Sequence, residues 1–391
     1  MTVIGRVGVR MLIAAISVVV GLSGCSSAPS RGAGSDLTPA VGPNVANFLV
    51  VTSKGVVNVV NGETVTPVRL PSGVTGDHWR SAIAVSQDAI AYLAAGWAVV
   101  VDKDATARAV PCERCESLGW TGSGLVATHA RLEEGRGFEI LSIGTGVSGT
   151  NVAVAQREAD RFGLSDGSEE FSVAPEILAA NDQTVWLNFM DTRIGNARGG
   201  TTVLSAYGLD GTLEGTTRID GSVYASAVSP DGRFLAVNAG GSGGACVNIG
   251  HLEVVELAQM RPRVTGLPLP VEALSEANGE QPWLDVQHIW WEGQRVHVVS
   301  DVKQDYTSCS EYEQAWEHIV DVETQIVADQ RVSVGARGFD AAFAGSRCED
   351  QVVVGAKGVR RDGGAVTLIA ASSSVIYSPP IPPGCVLKEV P

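Results

Sequence analysis

The sequence predicts an all-β chain assembled from repeated small sheets. Three observations carry that expectation: a turn-rich composition, a hairpin signature that recurs along the chain, and two ends that complement each other. Glycine supplies 46 of the 391 residues and charged side chains only 18%, a balance that favours turn-linked strands over solvated helices.

The clearest hairpin is "VYASAVSPDGRFLAVN", Val223 to Asn238. Pro230 presets φ for a turn, Asp231 closes it through its side chain, and Gly232 takes the left-handed position. The same shape recurs with altered turns. It appears in "RSAIAVSQDAIAYLAAG" from Arg80, "ESLGWTGSGLVATHA" from Glu116 and "PEILAANDQTVWLNF" from Pro175. It appears again in "DVQHIWWEGQRVHVVSD" from Asp285 and "FDAAFAGSRCEDQVVVG" from Phe339. A further strand generally follows, as in "WAVVVD" (Trp97 to Asp102) and "LEVVELA" (Leu252 to Ala258).

A seventh unit is split. "NFLVVTSKGVVNVVNGETVTPVRL", from Asn47, reads as the later strands of a repeat without its first. The chain's end, "AVTLIAASSSVIY" (Ala365 to Tyr377), supplies the missing strand. Sheet repeats of roughly 35 to 60 residues are the mark of a β-propeller, and pairing the two ends removes exposed edges. The expectation for residues 45–391 is therefore a seven-bladed β-propeller, with two packed β-sandwich domains as the alternative. Two stretches break the repeat. Gly149 to Glu170 is partly polar and is expected to hold a short helix on a loop. Lys303 to Ile319 reads as an acidic-aromatic insertion.

The N-terminus has its own logic. Arg6 and Arg10 precede "MLIAAISVVVGL", a twelve-residue apolar run, where a spanning helix needs about twenty. A basic segment, a short apolar core and small residues lay out a secretory signal, here residues 1–24. The stretch from Ser26 to Asn44, rich in Ser, Gly, Ala and Pro, reads as a flexible tether with an r.m.s. reach of roughly 25 Å. Losing Arg6 and Arg10 with the signal takes the formal net charge from −15 to −17. That acidity excludes nucleic acid as a partner and repels anionic headgroups.

Leu22-Ser23-Gly24-Cys25 resembles the lipobox of bacterial lipoproteins. The resemblance implies a diacylglyceryl thioether on Cys25, cleavage before it, and an acylated new amine. Each buried methylene contributes about 0.8 kcal/mol, so two or more chains anchor firmly. The expected location is the outer, extracytoplasmic side of the cell membrane, with an envelope protein or a small ligand as partner. The repeats resemble the broad propeller class that includes WD40 and TolB-like proteins. Only one turn carries the full Ser-Pro-Asp-Gly, and the Gly-His and Trp-Asp dipeptides of WD40 units are not in place.

In that class the first strand of each repeat lines the central channel. Aligning the hairpins by their turns puts Glu116, Glu176, Asp285 and Asp340 at or near the start of that strand, with Arg80 in the comparable place. Such carboxylates at one mouth attract a cation or a basic ligand. Trp283, Trp290, Trp291 and Trp316 cluster with Tyr306 and Tyr312, either as ordinary packing between blades or as a candidate partner surface. Trp290 and Trp291, adjacent on a strand, must face opposite sides.

With Cys25 spent on lipid, Cys112, Cys115, Cys246, Cys309, Cys348 and Cys385 remain. In an exported chain an even number reads as disulfides. Proximity suggests Cys112–Cys115, Cys246–Cys309 and Cys348–Cys385, among fifteen possible pairings. Six histidines are scattered, and His288 and His297 share one predicted hairpin. There is no H-E-x-x-H, G-x-S-x-G or P-loop. No cofactor or metal is expected. A binding or scaffolding module is the first functional expectation. The alternative is a propeller lyase, cyclotransferase or hydrolase acting on envelope glycans or peptides.

Overall fold

The computed structural model describes residues 37–39, 48–53, 56–61, 64–74, 79–86, 89–113, 115–122, 124–130, 137–144, 150–156, 175–190, 202–244, 247–270, 283–303, 315–332, 342–344, 352–355, 358–361, 366–367 and 374–377. All regular structure among them is β. It begins with β1 (Leu37–Pro39), then β2 (Phe48–Ser53), β3 (Val56–Asn61) and β4 (Thr64–Pro67). Next come β5 (Trp79–Val85), β6 (Ala89–Ala94), β7 (Trp97–Asp102) and β8 (Ala107–Pro111). The third group is β9 (Ser117–Trp120), β10 (Gly124–Ala130), β11 (Gly137–Gly144) and β12 (Thr150–Gln156). The fourth is β13 (Glu176–Ala180), β14 (Thr184–Met190), β15 (Thr202–Gly208) and β16 (Leu213–Ile219). The fifth is β17 (Ser222–Val228), β18 (Phe234–Gly244), β19 (Val247–Glu256) and β20 (Arg261–Thr265). The sixth is β21 (Trp283–Glu292), β22 (Arg295–Lys303), β23 (Ala315–Asp321) and β24 (Val327–Val332). The last strands are β25 (Ala342–Ala344), β26 (Val352–Gly355), β27 (Gly358–Arg361), β28 (Val366–Thr367) and β29 (Ser374–Tyr377).

Among the described residues these strands form seven separate sheets, each joining consecutive antiparallel strands. Two strands depart from that rule. β29 pairs with β2 and completes the first sheet from the far end of the chain, as the complementary termini predict. β1 adds to β17 in parallel.

Local turn chemistry explains why four of the hairpins stand where the repeats place them. At Ser229 the carbonyl accepts the Gly232 N–H at 2.8 Å, and the side-chain oxygen accepts the Phe234 N–H at 2.9 Å. Gly232 sits at φ 70°, the left-handed region that glycine tolerates. The altered turns keep the same device. Ser86 Oγ accepts from Ala89 N at 3.0 Å, Thr121 Oγ1 from Gly124 N at 3.0 Å, and Asn181 Oδ1 from Thr184 N at 2.8 Å. A short polar side chain thus caps the strand that resumes after the turn.

Sheet faces are sorted by residue parity. On β6, Ile90, Tyr92 and Ala94 enter a core shared with Val57 and Val59 of the first sheet. Ala89, Ala91 and Leu93 enter another, with Leu118 and Leu125 of the third sheet. On β18, Leu235 and Val237 pack toward Ile177 and Leu187, while Phe234 and Ala236 pack toward Trp291 and Val298. Both faces of these sheets are therefore covered by neighbouring sheets, which is why β6 is buried at every residue. A two-layer sandwich covers one face per sheet, so the sandwich alternative does not describe this chain. The architecture is propeller-like.

Polar bonds stitch the sheets together. Ile177 N donates to Ser117 Oγ at 2.8 Å, and Thr128 Oγ1 donates to the Pro175 carbonyl at 2.7 Å. Asn238 Nδ2 donates to the Val286 carbonyl at 2.7 Å. Successive first strands lie side by side: β29 with β5, β5 with β9, β9 with β13, β13 with β17, and β17 with β21.

Three stretches differ from expectation. Leu37–Pro39 lies inside the stretch read as tether, and it is a strand. Gly149 to Glu170 includes strand β12 near its start; the expected short helix falls on residues 157–170, which lie outside the described residues. The Lys303–Ile319 insertion ends in β23, whose residues pair along β22.

Candidate binding site at the innermost strands

β1 builds the site. Its three residues pair with β17 in the register Leu37 to Ser226, Thr38 to Ala227 and Pro39 to Val228, and β1 also lies against β5 and β13. Those strands belong to three different sheets, and the sheets of β5 and β13 are not consecutive. A three-residue strand spans only about 10 Å. Three sheets that touch it must therefore converge on one narrow space.

Three of the four predicted carboxylates stand at or near the starts of first strands of their sheets, Glu176 on a strand that also lies against β1. Glu176 is the first residue of β13, Asp285 the third of β21, and Glu116 directly precedes β9. Arg80 is the second residue of β5, and Asp340 lies outside the described residues. Glu176 accepts a hydrogen bond from Asn188 Nδ2 at 3.3 Å, and Glu116 is half-buried. Asp285 is buried. Burial first, and the Asp285 carboxylate second, raise the Tyr224 phenol of β17 above its ordinary value.

β-Bulges recur on these strands: between Arg80 and Ile83, Ile177 and Ala179, Val223 and Ala225, and Val286 and His288. Each inserts residues on the inner strand alone, two between Arg80 and Ile83 and one in each of the others, increasing local twist and re-aiming the side chains. Tyr224 is one such residue. No hydropathy pattern marks a bulge, so sequence reasoning missed Tyr224.

The aromatic surface expectation needs correction. Trp291 is 2% exposed and Trp316 3%; both are core residues because their strand faces meet neighbouring elements. Trp291 stacks on Phe234 with centroids 6.2 Å apart, and its Nε1 donates to the Ala227 carbonyl at 2.9 Å. Trp290 stands on the opposite face, half-buried and stacked on His297 at 5.2 Å. Trp283 is half-buried; Tyr306 and Tyr312 lie outside the described residues.

A polar chain, buried at Ser300 and His318 and reaching the surface at Asp329, crosses the sixth sheet and had no signal in the sequence. Ser300 Oγ lies 2.6 Å from His318 Nε2, and His318 Nδ1 lies 2.7 Å from Asp329 Oδ1. A neutral imidazole fits both, donating from Nδ1 to the carboxylate and accepting at Nε2 from the hydroxyl. The order of contacts is that of a hydrolase triad. Ser300 and His318 are both 0% exposed, so no substrate reaches the hydroxyl, and the chain acts as an internal crosslink. His297 similarly bonds Glu317 at 2.8 Å inside the sheet.

Burial holds the His318 imidazole below its ordinary value of 6.5, against the opposing pull of Asp329. Below about pH 6.5 the unfolded chain takes up a proton that the folded chain refuses until lower pH, so stability falls as pH falls. Melting temperatures between pH 7 and 5 should decline, and His318→Gln should shallow that decline by about one proton. An unchanged slope would show that His318 is not the group responsible.

Cys112 and Cys115 form a disulfide in the loop between β8 and β9. Both are buried in the core between the second and third sheets, so the bond is a staple out of reach of redox partners. Cys25, Cys246, Cys309, Cys348 and Cys385 lie outside the described residues. Among the described residues no group of three His, Cys, Asp or Glu is placed to hold a metal.

No protein-family model matches the chain, and no curated protein matches it in sequence. Solved structures similar to it include Kuenenia stuttgartiensis hydrazine synthase, 12% identical, with a TM-score of 0.46 over 84% of this chain and 95% of that one. An oligogalacturonate lyase in complex with manganese is 12% identical, with a TM-score of 0.43 over 77% and 78%. A protein assigned as TolB from Agrobacterium tumefaciens is 11% identical, with a TM-score of 0.36 over 73% and 88%. At these values no activity, ligand or partner passes from them to this chain.

Proposed function

We propose that this chain is an extracytoplasmic lipoprotein, held on the membrane through Cys25, whose seven sheets close into a seven-bladed propeller that serves as a binding module. The observation that carries the reading is the convergence of β5, β13 and β17 on one narrow space. Carboxylates at Glu116, Glu176 and Asp285 stand at or near the starts of three inner strands, a setting for a basic or cationic group. Binding rather than turnover is favoured by where the imidazoles with described side chains sit. His129, His251, His297 and His318 are on second or third strands of their sheets and bond neighbouring carboxylates.

Two measurements test the reading. Cys25→Ser should abolish uptake of labelled fatty acid and stop signal cleavage; labelling that persists overturns the anchor. Crosslinking the native full chain in cells should trap a partner through residues near the starts of β9, β13 and β21. Turnover of envelope glycans or peptides by the purified chain would put the enzyme reading first.

A further inference from the structure

We infer that the inner edge of β17 is a strand-acceptor site for an extended peptide segment, occupied in cis by Leu37–Pro39. The inference deepens the binding-module reading and rests on it. Every other strand pairing among the described strands is antiparallel, and apart from the joined ends each links chain neighbours. β1 alone is parallel and arrives from outside the sheet that it joins. An innermost strand presents a row of backbone N–H and C=O groups with no partner of its own, and buried backbone groups require one. β1 lies along Ser226–Val228 and meets that need at Ser226 and Val228, whose backbone groups alternate away from β18.

The occupant is built to be displaceable. It is three residues long, and each backbone bond contributes only about 0.5–1.5 kcal/mol net. Pro39 lacks an N–H and is tolerated only on an edge, so the added strand is not extended by further pairing through that residue. The acceptor also keeps an unused group: the Ser226 hydroxyl, opposite Leu37, is buried at 3% exposure and without a hydrogen-bond partner. Strand addition takes affinity from the main chain, so the ligand class is an extended polypeptide rather than a small solute. Because Leu37–Pro39 is covalently attached, it competes at an effective concentration on the order of millimolar. A peptide therefore enters only when it outcompetes the chain's own strand or when that strand is withdrawn.

The test uses the full-length chain in detergent and a labelled peptide of its own sequence, Ser-Asp-Leu-Thr-Pro-Ala. In a variant carrying Leu37→Gly, Thr38→Ser and Pro39→Gly, the amides of Ser226 and Val228, whose N–H groups alternate away from β18, should exchange faster than in wild type. The peptide should restore their protection, and should bind the variant at least about tenfold more tightly than wild type. Thr38→Pro, which breaks pairing at one residue, is the second variant and should behave alike. Unchanged exchange in both variants overturns the inference. So does fast exchange with no peptide binding, an outcome that leaves the Cys25 labelling and crosslinking results standing.

Discussion

Replacing Trp291 with alanine is expected to destabilise the fold by about 3–5 kcal/mol, the range for truncating a buried aromatic. The indole fills the core between the fifth and sixth sheets, against Phe234, Val254 and Val298. Its removal also strips the Ala227 carbonyl of the donor that lies 2.9 Å away. Ala227 belongs to β17, so the damage reaches the strand that receives β1. Trp291→Phe keeps most of the volume and loses the hydrogen bond, and should cost about 1–3 kcal/mol. Urea denaturation followed by fluorescence separates the two. A loss below about 1 kcal/mol for the alanine variant would mean that Trp291 does not join these sheets.

Ending the chain after residue 373 should have the larger effect. Such a chain lacks β29, so β2 loses its inner partner along Val50 to Thr52. It also loses the contact of β29 with β5. An exposed, apolar edge strand templates association with other chains. Size-exclusion chromatography with light scattering should find oligomers and no cooperatively melting monomer. Val375→Pro, which blocks pairing without shortening the chain, should move in the same direction. A monomeric truncation with wild-type melting would show that the paired termini are dispensable.

The parts of the fold legible in the sequence are those written in local chemistry. Ser229, Asp231 and Gly232 state their turn outright. Ser86, Thr121 and Asn181 state it in altered residues, because each needs only a side-chain oxygen at the right offset. The paired ends were legible because a three-strand unit at one terminus implies a fourth strand elsewhere.

What stayed hidden depends on how sheets meet. A strand buried on both faces carries no alternation, so nothing along β21 or β23 decides between packing and a partner surface for Trp291 and Trp316. The composition of Lys303–Ile319 concealed that its end, with His318, is a paired strand. Ser300 and Asp329 are 18 and 11 residues from His318, separations that carry meaning only once the register is known. β1 was hidden for the opposite reason. Ser, Gly and Pro signal a segment that cannot build a core, yet backbone pairing asks nothing of side chains.

The join between β2 and β29 also sets a clock. Every other strand except β1 finds its partner within its own stretch of chain, so those sheets can form as they emerge during synthesis. Thr52 must wait for Ser374, about 320 residues later. Closing that loop costs roughly 4 kcal/mol more entropy than closing a four-residue hairpin. The first sheet is therefore the last to be completed. From the emergence of Ser53 until the final residues are made, its apolar edge is open to whatever strand arrives first.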